Sequence, residues 1–204
     1  MSSQNTFKQK STQVIKIKKK VVYLQNMELE LIQGCISEDR ASQRQLFETY
    51  SRKFMAICKR YMQDDMQAED VLMESFLKIY NNIKKFKAEG SFEGWMRRIV
   101  VNTAIDHVNK KNRSLLRYCE EVNDEVTVPA SAIADLSANE LMLMVCELPV
   151  GCRTVFNMFV MDGFTHKQIS EHLKIPEGTS KWHMSQARIL LQEKLKRYES
   201  NVRI

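Results

Sequence analysis

Four histidines and five cysteines (Cys35, Cys58, Cys119, Cys146 and Cys152) are the residues best suited to covalent or metal chemistry in this 204-residue chain. Their spacing argues against such a role. No CxxC pair occurs, the histidines fall at no zinc-ligand spacing, and an odd number of scattered cysteines reads as reduced thiols. No set of carboxylates, histidines and cysteines converges, so an enzymatic reading, a nucleic-acid hydrolase for instance, has nothing to carry the reaction. The expectation is a binding protein with no catalytic residue, no metal and no cofactor. The stretch best equipped to bind is FKAEGSFEGWMRRIVVNTAIDHVNKKNR, from Phe86 to Arg113. It sets Phe86 and Phe92 around Gly90, brings in Trp95, Arg97, Arg98, Asn102 and Thr103, and closes on Lys110, Lys111 and Arg113. Single-stranded nucleic acid is held by such a combination, cations tracking phosphates while aromatic faces receive unstacked bases. An amphipathic helix with a solvated basic face has the same make-up, and the remainder of the chain must decide between them.

These side chains need a helix to position them. Met96, Ile99, Val100, Thr103, Ala104 and Val108 recur at helical steps, so one face turns inward and leaves the arginines and Asn102 outside. Only 6 Gly and 3 Pro, against 12 Met and 44% apolar residues, predict an almost wholly helical protein with a real core. The net charge of +6 says less than it suggests. Residues 1–26 hold six lysines and no acid; the rest of the chain has 25 basic residues against 25 acidic ones. Nucleic-acid binding must therefore rest on local patches. No apolar run is long enough to span a membrane, and the basic N-terminus lacks the apolar run of a signal peptide, which predicts a cytoplasmic protein.

Taken in order, residues 1–26 read as a basic, disordered tail. The regular pattern begins at Met27, which makes Met27 a candidate translation start, testable by N-terminal sequencing. A short helix ends at Gly34, and a second carries Leu46, Phe47, Tyr50, Phe54, Ile57, Cys58 and Tyr61 inward. Asp64 and Asp65 start a third helix, with Leu72, Phe76, Ile79 and Ile83 inward. Asp70, Met73, Glu74 and Leu77 lie on another side of it. Exposed Met and Leu among carboxylates suggest a docking surface for a basic partner helix, although Glu74 and Lys78 also suit a solvated i,i+4 pair. Residues 114–134 are acidic and rich in small residues, and read as a linker.

The second domain, 135–197, opens with a helix that includes Leu136 and ends near Pro149. A second runs from Cys152 to Met161, Asp162-Gly163-Phe164 turns the chain, and Thr165 caps HKQISEHL. A longer helix from Pro176-Glu177-Gly178-Thr179 runs to about Lys196, ahead of a tail at 198–204. A short helix, a turn and a longer helix are helix-turn-helix spacing. Ser180, Met184, Ala187 and Leu191 would pack inside. Lys181, Trp182, Ser185, Gln186 and Arg188 would face out, where Trp182, Lys181 and Gln186 can meet base edges. Arg188, His183 and the amides near Thr179 would hold phosphates.

Together the two halves resemble the extracytoplasmic-function group of bacterial sigma factors. AEDVLMESFLKIY followed by FKAEGSFEGWMRRIVVNTAIDHVNKKNR is similar to that family's region 2, here 27–113. ELPVGCRTVFNMFVMDGFTHKQISEHLKIPEGTSKWHMSQARILLQEKL is similar to its region 4, here within 135–197. The resemblance implies an all-α fold of two small helical domains joined by an acidic linker. It implies that Asp70, Met73, Glu74 and Leu77 dock on core RNA polymerase. Phe86, Phe92, Trp95, Asn102 and Thr103 would open the minus-ten element and hold a flipped base, with Arg97, Arg98, Lys110 and Lys111 steadying the backbone. Thr179, Lys181, Trp182, His183, Ser185, Gln186 and Arg188 would read the minus-thirty-five element in duplex. An anti-sigma factor often restrains members of the family, though no residue here identifies one. Lys174 stands where the family usually has Gly, which predicts a left-handed non-glycine residue at a cost of about 1 kcal/mol. Ser180 replaces a commoner Val. The rival from another class is a free-standing helix-turn-helix regulator whose first domain binds an effector or dimerises. Tight duplex binding without polymerase would single it out.

Overall fold

The structure, a computed structural model, describes residues 28–117 and 138–202, and no strand occurs among them. The basic tail, Cys119, Leu136 and the acidic part of the linker lie outside the described residues. Helix α1 covers 28–36. It is followed by α2 (Arg40–Tyr61), α3 (Asp65–Asn82), a 3₁₀ turn at Ile83–Lys85, and α4 (Phe92–Arg117). The second half comprises α5 (Ala138–Cys146), α6 (Val150–Phe156) widening into a π turn at Asn157–Met161, α7 (His166–Leu173) and α8 (Glu177–Val202).

The starts follow from the sequence. Asp39 accepts the Ser42 N–H at 2.8 Å and Asp64 accepts the Gln67 N–H at 2.8 Å, each satisfying a donor the first turn leaves open. Thr165 and Gln168 form a complete capping box on α7. Gly34 does not end α1 as expected. The helix continues past it, and a Cβ there would sit 2.0 Å from the Ser42 hydroxyl, so glycine is required for close approach. The left-handed residue of that turn is Glu38 (φ 62°). Helices α4 and α8 run further than the pattern suggests, to Arg117 and Val202.

The inward faces are those the periodicity predicts. Leu72, Phe76, Ile79 and Ile83 of α3 are buried, as are Met96, Val100, Thr103, Ala104 and Val108 of α4, with Phe54 of α2 between them. In α8, Ser180, Met184 and Ala187 are buried. The two halves share their core: buried residues run without a break from Leu46 and Phe54 through Leu116 to Val155, Met158 and Ile169. Helix α4 lies against α6 and α7, and α2 against α5 and α6.

Polar groups seal this seam by capping helix ends across it. The last carbonyls of a helix have no intrahelical donor. Asn157 donates to the Arg60 carbonyl at 2.7 Å, and Arg153 reaches the Tyr61 carbonyl at 3.5 Å, so α6 caps α2. Asn109 donates to the His172 carbonyl at 2.9 Å, so α4 caps α7. His183 of α8 meets the Leu116 carbonyl near the end of α4 at 2.9 Å.

Candidate nucleic-acid interface

The aromatic loop before α4 folds into a ring cluster. Phe86 lies 5.1 Å from Phe92 and 5.6 Å from Trp95, centroid to centroid, and Phe92 stacks on Trp95 at 5.7 Å. Above them is a concave space of about 430 Å³ lined by Lys85, Phe86, Lys87, Glu89, Gly90, Ser91, Gly94, Trp95 and Arg98. Three cations against one acid make it attractive to a phosphate, and half-buried Phe86 and Trp95 offer ring faces to a base. Phe92 is not such a face. It is 1% exposed, because the first turn of α4 directs it into the core, and it supports Trp95 from beneath.

Thr103 is likewise buried. Its hydroxyl donates to the Ile99 carbonyl at 2.9 Å and accepts from Lys78 at 3.2 Å. It lines a second hollow of about 350 Å³ with Asn82, Lys85, Trp95, Asn102 and Asp106. The Asn102 Oδ1 facing this region has no hydrogen-bond partner among the described residues. Arg98, Lys110 and Lys111 are exposed. The guanidinium of Arg97 is occupied: it donates to the Met161 carbonyl at 3.0 Å and to the Asp162 carboxylate at 2.8 Å.

On α3, Met73 and Leu77 are exposed, and so is Asp70, which forms no ion pair with another described residue. Glu74 differs. It accepts from Lys78 at 2.8 Å and from His107 at 2.6 Å. Those hydrogen bonds hold its carboxyl down at about 2. Sequence reading found the Glu74–Lys78 pair but not His107, which reaches it from α4.

On α8, Thr179, Ser185 and Gln186 are half-buried and Arg188 is exposed, while Lys181 pairs with Glu177 at 2.9 Å. Trp182 is half-buried rather than outward, edge-on to His183 at 5.0 Å, with its indole N–H buried and without a partner among the described residues. His183 is 3% exposed and faces no open phosphate site in this arrangement. Its Nε2–H donates to the Leu116 carbonyl, which leaves Nδ1 facing the Cys152 thiol at 3.8 Å. Burial lowers its pKa from 6.5. Gly151 makes room for the ring: a Cβ there would lie 2.4 Å from the His183 Cε1.

At the seam, Asp162 gathers groups that sequence reasoning passed over as part of a turn. Tyr61 donates its hydroxyl at 2.6 Å and Arg60 approaches at 3.3 Å, in addition to Arg97. Burial first, then the adjacent Asp162 charge, pushes the Tyr61 pKa well above its ordinary value of 10.0. The available signal was Arg153 and Asn157, polar residues four apart on an otherwise apolar helix face.

Residues 46–114 match the family model described as Sigma-70 region 2, and residues 138–191 match Sigma-70, region 4. The ECF RNA polymerase sigma factor SigW of Bacillus subtilis is 29% identical over 164 residues, covering 74% of this chain and 87% of that protein. The ECF RNA polymerase sigma-E factor of Haemophilus influenzae is 24% identical over 177 residues, covering 81% and 93%. Among solved structures, the sigma factor RpoE in complex with the anti-sigma factor NepR from Bartonella quintana aligns with a TM-score of 0.45 at 20% identity, covering 75% of this chain and 96% of that one.

Proposed function

The chain belongs to the extracytoplasmic-function group of the sigma-70 family, and from that premise we infer which faces meet polymerase and promoter. It is a sigma factor and directs transcription initiation. It works in the cytoplasm without catalysis of its own. Core RNA polymerase takes the α3 face through Asp70, Met73 and Leu77, with Glu74 shared between that face and α4. Apolar side chains beside a free carboxylate suit a basic, partly apolar helix. The promoter strand passes over the start of α4, where the hollow walled by Phe86, Trp95 and Arg98 receives an unstacked base. Capturing that base offsets an unstacking free energy of a few kcal/mol. Phe92 and Thr103 shape this site from below rather than touching DNA. Lys181, Trp182, Ser185 and Gln186 of α8 read upstream duplex, and an anti-sigma factor is the inhibitory partner we expect from family membership.

The observation that carries this reading is the cationic, ring-walled hollow of about 430 Å³ beside an exposed apolar–acidic helix face. Run-off transcription with purified core polymerase on genomic fragments tests it. Discrete new start sites should appear only when both proteins are present. Asp70→Lys should cut co-purification with core about tenfold, the loss expected when a charge pair becomes a repulsion. Transcripts indifferent to the chain would sink the reading.

A further inference from the structure

We propose that Asp162 is an intramolecular stand-in for promoter phosphate, holding Arg97 so that the free chain is closed to DNA. The proposal rests on the reading of Arg97 as a promoter-strand contact. A carboxylate and a phosphate present the same paired oxygens to a guanidinium, so Arg97 can serve one at a time. The Asp162 side chain is only 3% exposed, whereas that of Arg97 is 46% exposed and sits at the rim of the seam. Arg60 and Tyr61 fix the carboxylate from the other side and keep it aimed at α4.

The closure extends well beyond one pair. Contacts from the second half fall on Arg97, Asn109 and Leu116, a strip of α4 about 28 Å long at 1.5 Å per residue. Lys110 and Lys111 adjoin that strip. On the opposite side of the seam His183 is buried and the Trp182 indole N–H is hidden, so both proposed DNA surfaces are engaged with protein.

Geometry also separates this state from the working one. Elements at minus ten and minus thirty-five lie about 25 base pairs apart, about 85 Å along B-form DNA at 3.4 Å per base pair. A compact body of the described size has a radius of gyration near 15 Å, so it spans about 40 Å. One closed molecule cannot touch both, and the halves must part. The exposed side chains on α3, Met73 and Leu77, remain open while the seam is shut, so polymerase can dock first. Until then the apparent affinity for DNA is reduced by the small fraction of molecules that are open.

The test uses the full chain without polymerase, a fluorescently labelled short single-stranded oligodeoxynucleotide of mixed sequence, and small-angle scattering in parallel. Asp162→Asn keeps the shape and removes the charge; it should bind the oligonucleotide about tenfold more tightly and show a larger radius of gyration. Tyr61→Phe removes a single hydrogen bond and should move both readouts the same way, by about threefold in affinity. Glu171→Gln, which removes an exposed charge elsewhere on α7, should change neither. Unchanged affinity in Asp162→Asn, or an equal gain in Glu171→Gln, overturns the proposal. If Asp162→Asn does not fold, Tyr61→Phe decides alone, and unchanged affinity there overturns it. Run-off transcription by the wild-type chain keeps the two readings apart: start-site selection with no effect of Asp162→Asn condemns the latch only, and its absence condemns the assigned function.

Discussion

Lys174 closes α7 with φ 55° and ψ 44°, its N–H donating to the Ser170 carbonyl. A Cβ in this left-handed region is strained, and glycine removes the strain. Lys174→Gly should stabilise the protein by about 1 kcal/mol, which for a body of this size is a rise of about 3 °C in calorimetric Tm. This residue was legible from sequence because a turn of fixed length between two capped helices leaves few conformations for its central position. Phe92, Thr103 and His183 were not. A side chain beside basic residues has the same pattern whether it turns out to bases or in to the core. For Phe92 the helix start at that residue decides, and for His183 the space left by Gly151 decides.

Between elements, the α3–α4 contact carries a polar bridge of its own. Glu74 binds Lys78 within α3 and His107 from α4. Its folded pKa of about 2 lies below the ordinary 4.5, so its contribution is present above 4.5 and is lost as pH falls toward 2. Because these side chains are more than a third exposed, solvent screening limits the bridge to well under about 1 kcal/mol. Glu74→Gln should therefore lower stability slightly near neutrality and flatten the acid limb of thermal melts, while co-purification with core falls less than in Asp70→Lys. Equal losses in both variants would mean that Glu74 is as available to polymerase as Asp70. The helices and their inward faces could be read from sequence, since 3.6-residue periodicity is a local property. The widened turn at Asn157–Met161 could not. It answers to Arg60 and Asp162 across the seam, and a local pattern has no access to such partners.

For the whole molecule, the buried imidazole of His183 makes closure sensitive to acid. Its pKa is depressed from 6.5 by burial, so the closed form gains stability that is complete above 6.5 and is lost as pH falls below it. The ring faces the Leu116 carbonyl and the Cys152 thiol, with no described carboxylate paired to it to offset a positive charge. The radius of gyration of the free chain should therefore grow between about pH 7 and pH 5.5, a range centred on the histidine titration. His183→Gln should show a shallower dependence, and identical profiles would assign the change to other groups. The domain order could be read from the sequence, but this seam could not, because motifs record what each half does and not how the halves meet when unoccupied.

The π turn at the end of α6 joins its residues through wide hydrogen bonds, the Asp162 N–H reaching back to the Asn157 carbonyl at 3.0 Å. Such a turn accommodates one residue more than an ordinary helical turn. Its consequence is angular. Removing that single extra residue would rotate everything downstream by about 100° about the helix axis and swing the carboxylate away from α4. Relatives that differ by one residue at this point would then keep both DNA-reading modules and lose the brake between them, so a single codon's insertion or deletion can set how tightly such a protein is held in reserve.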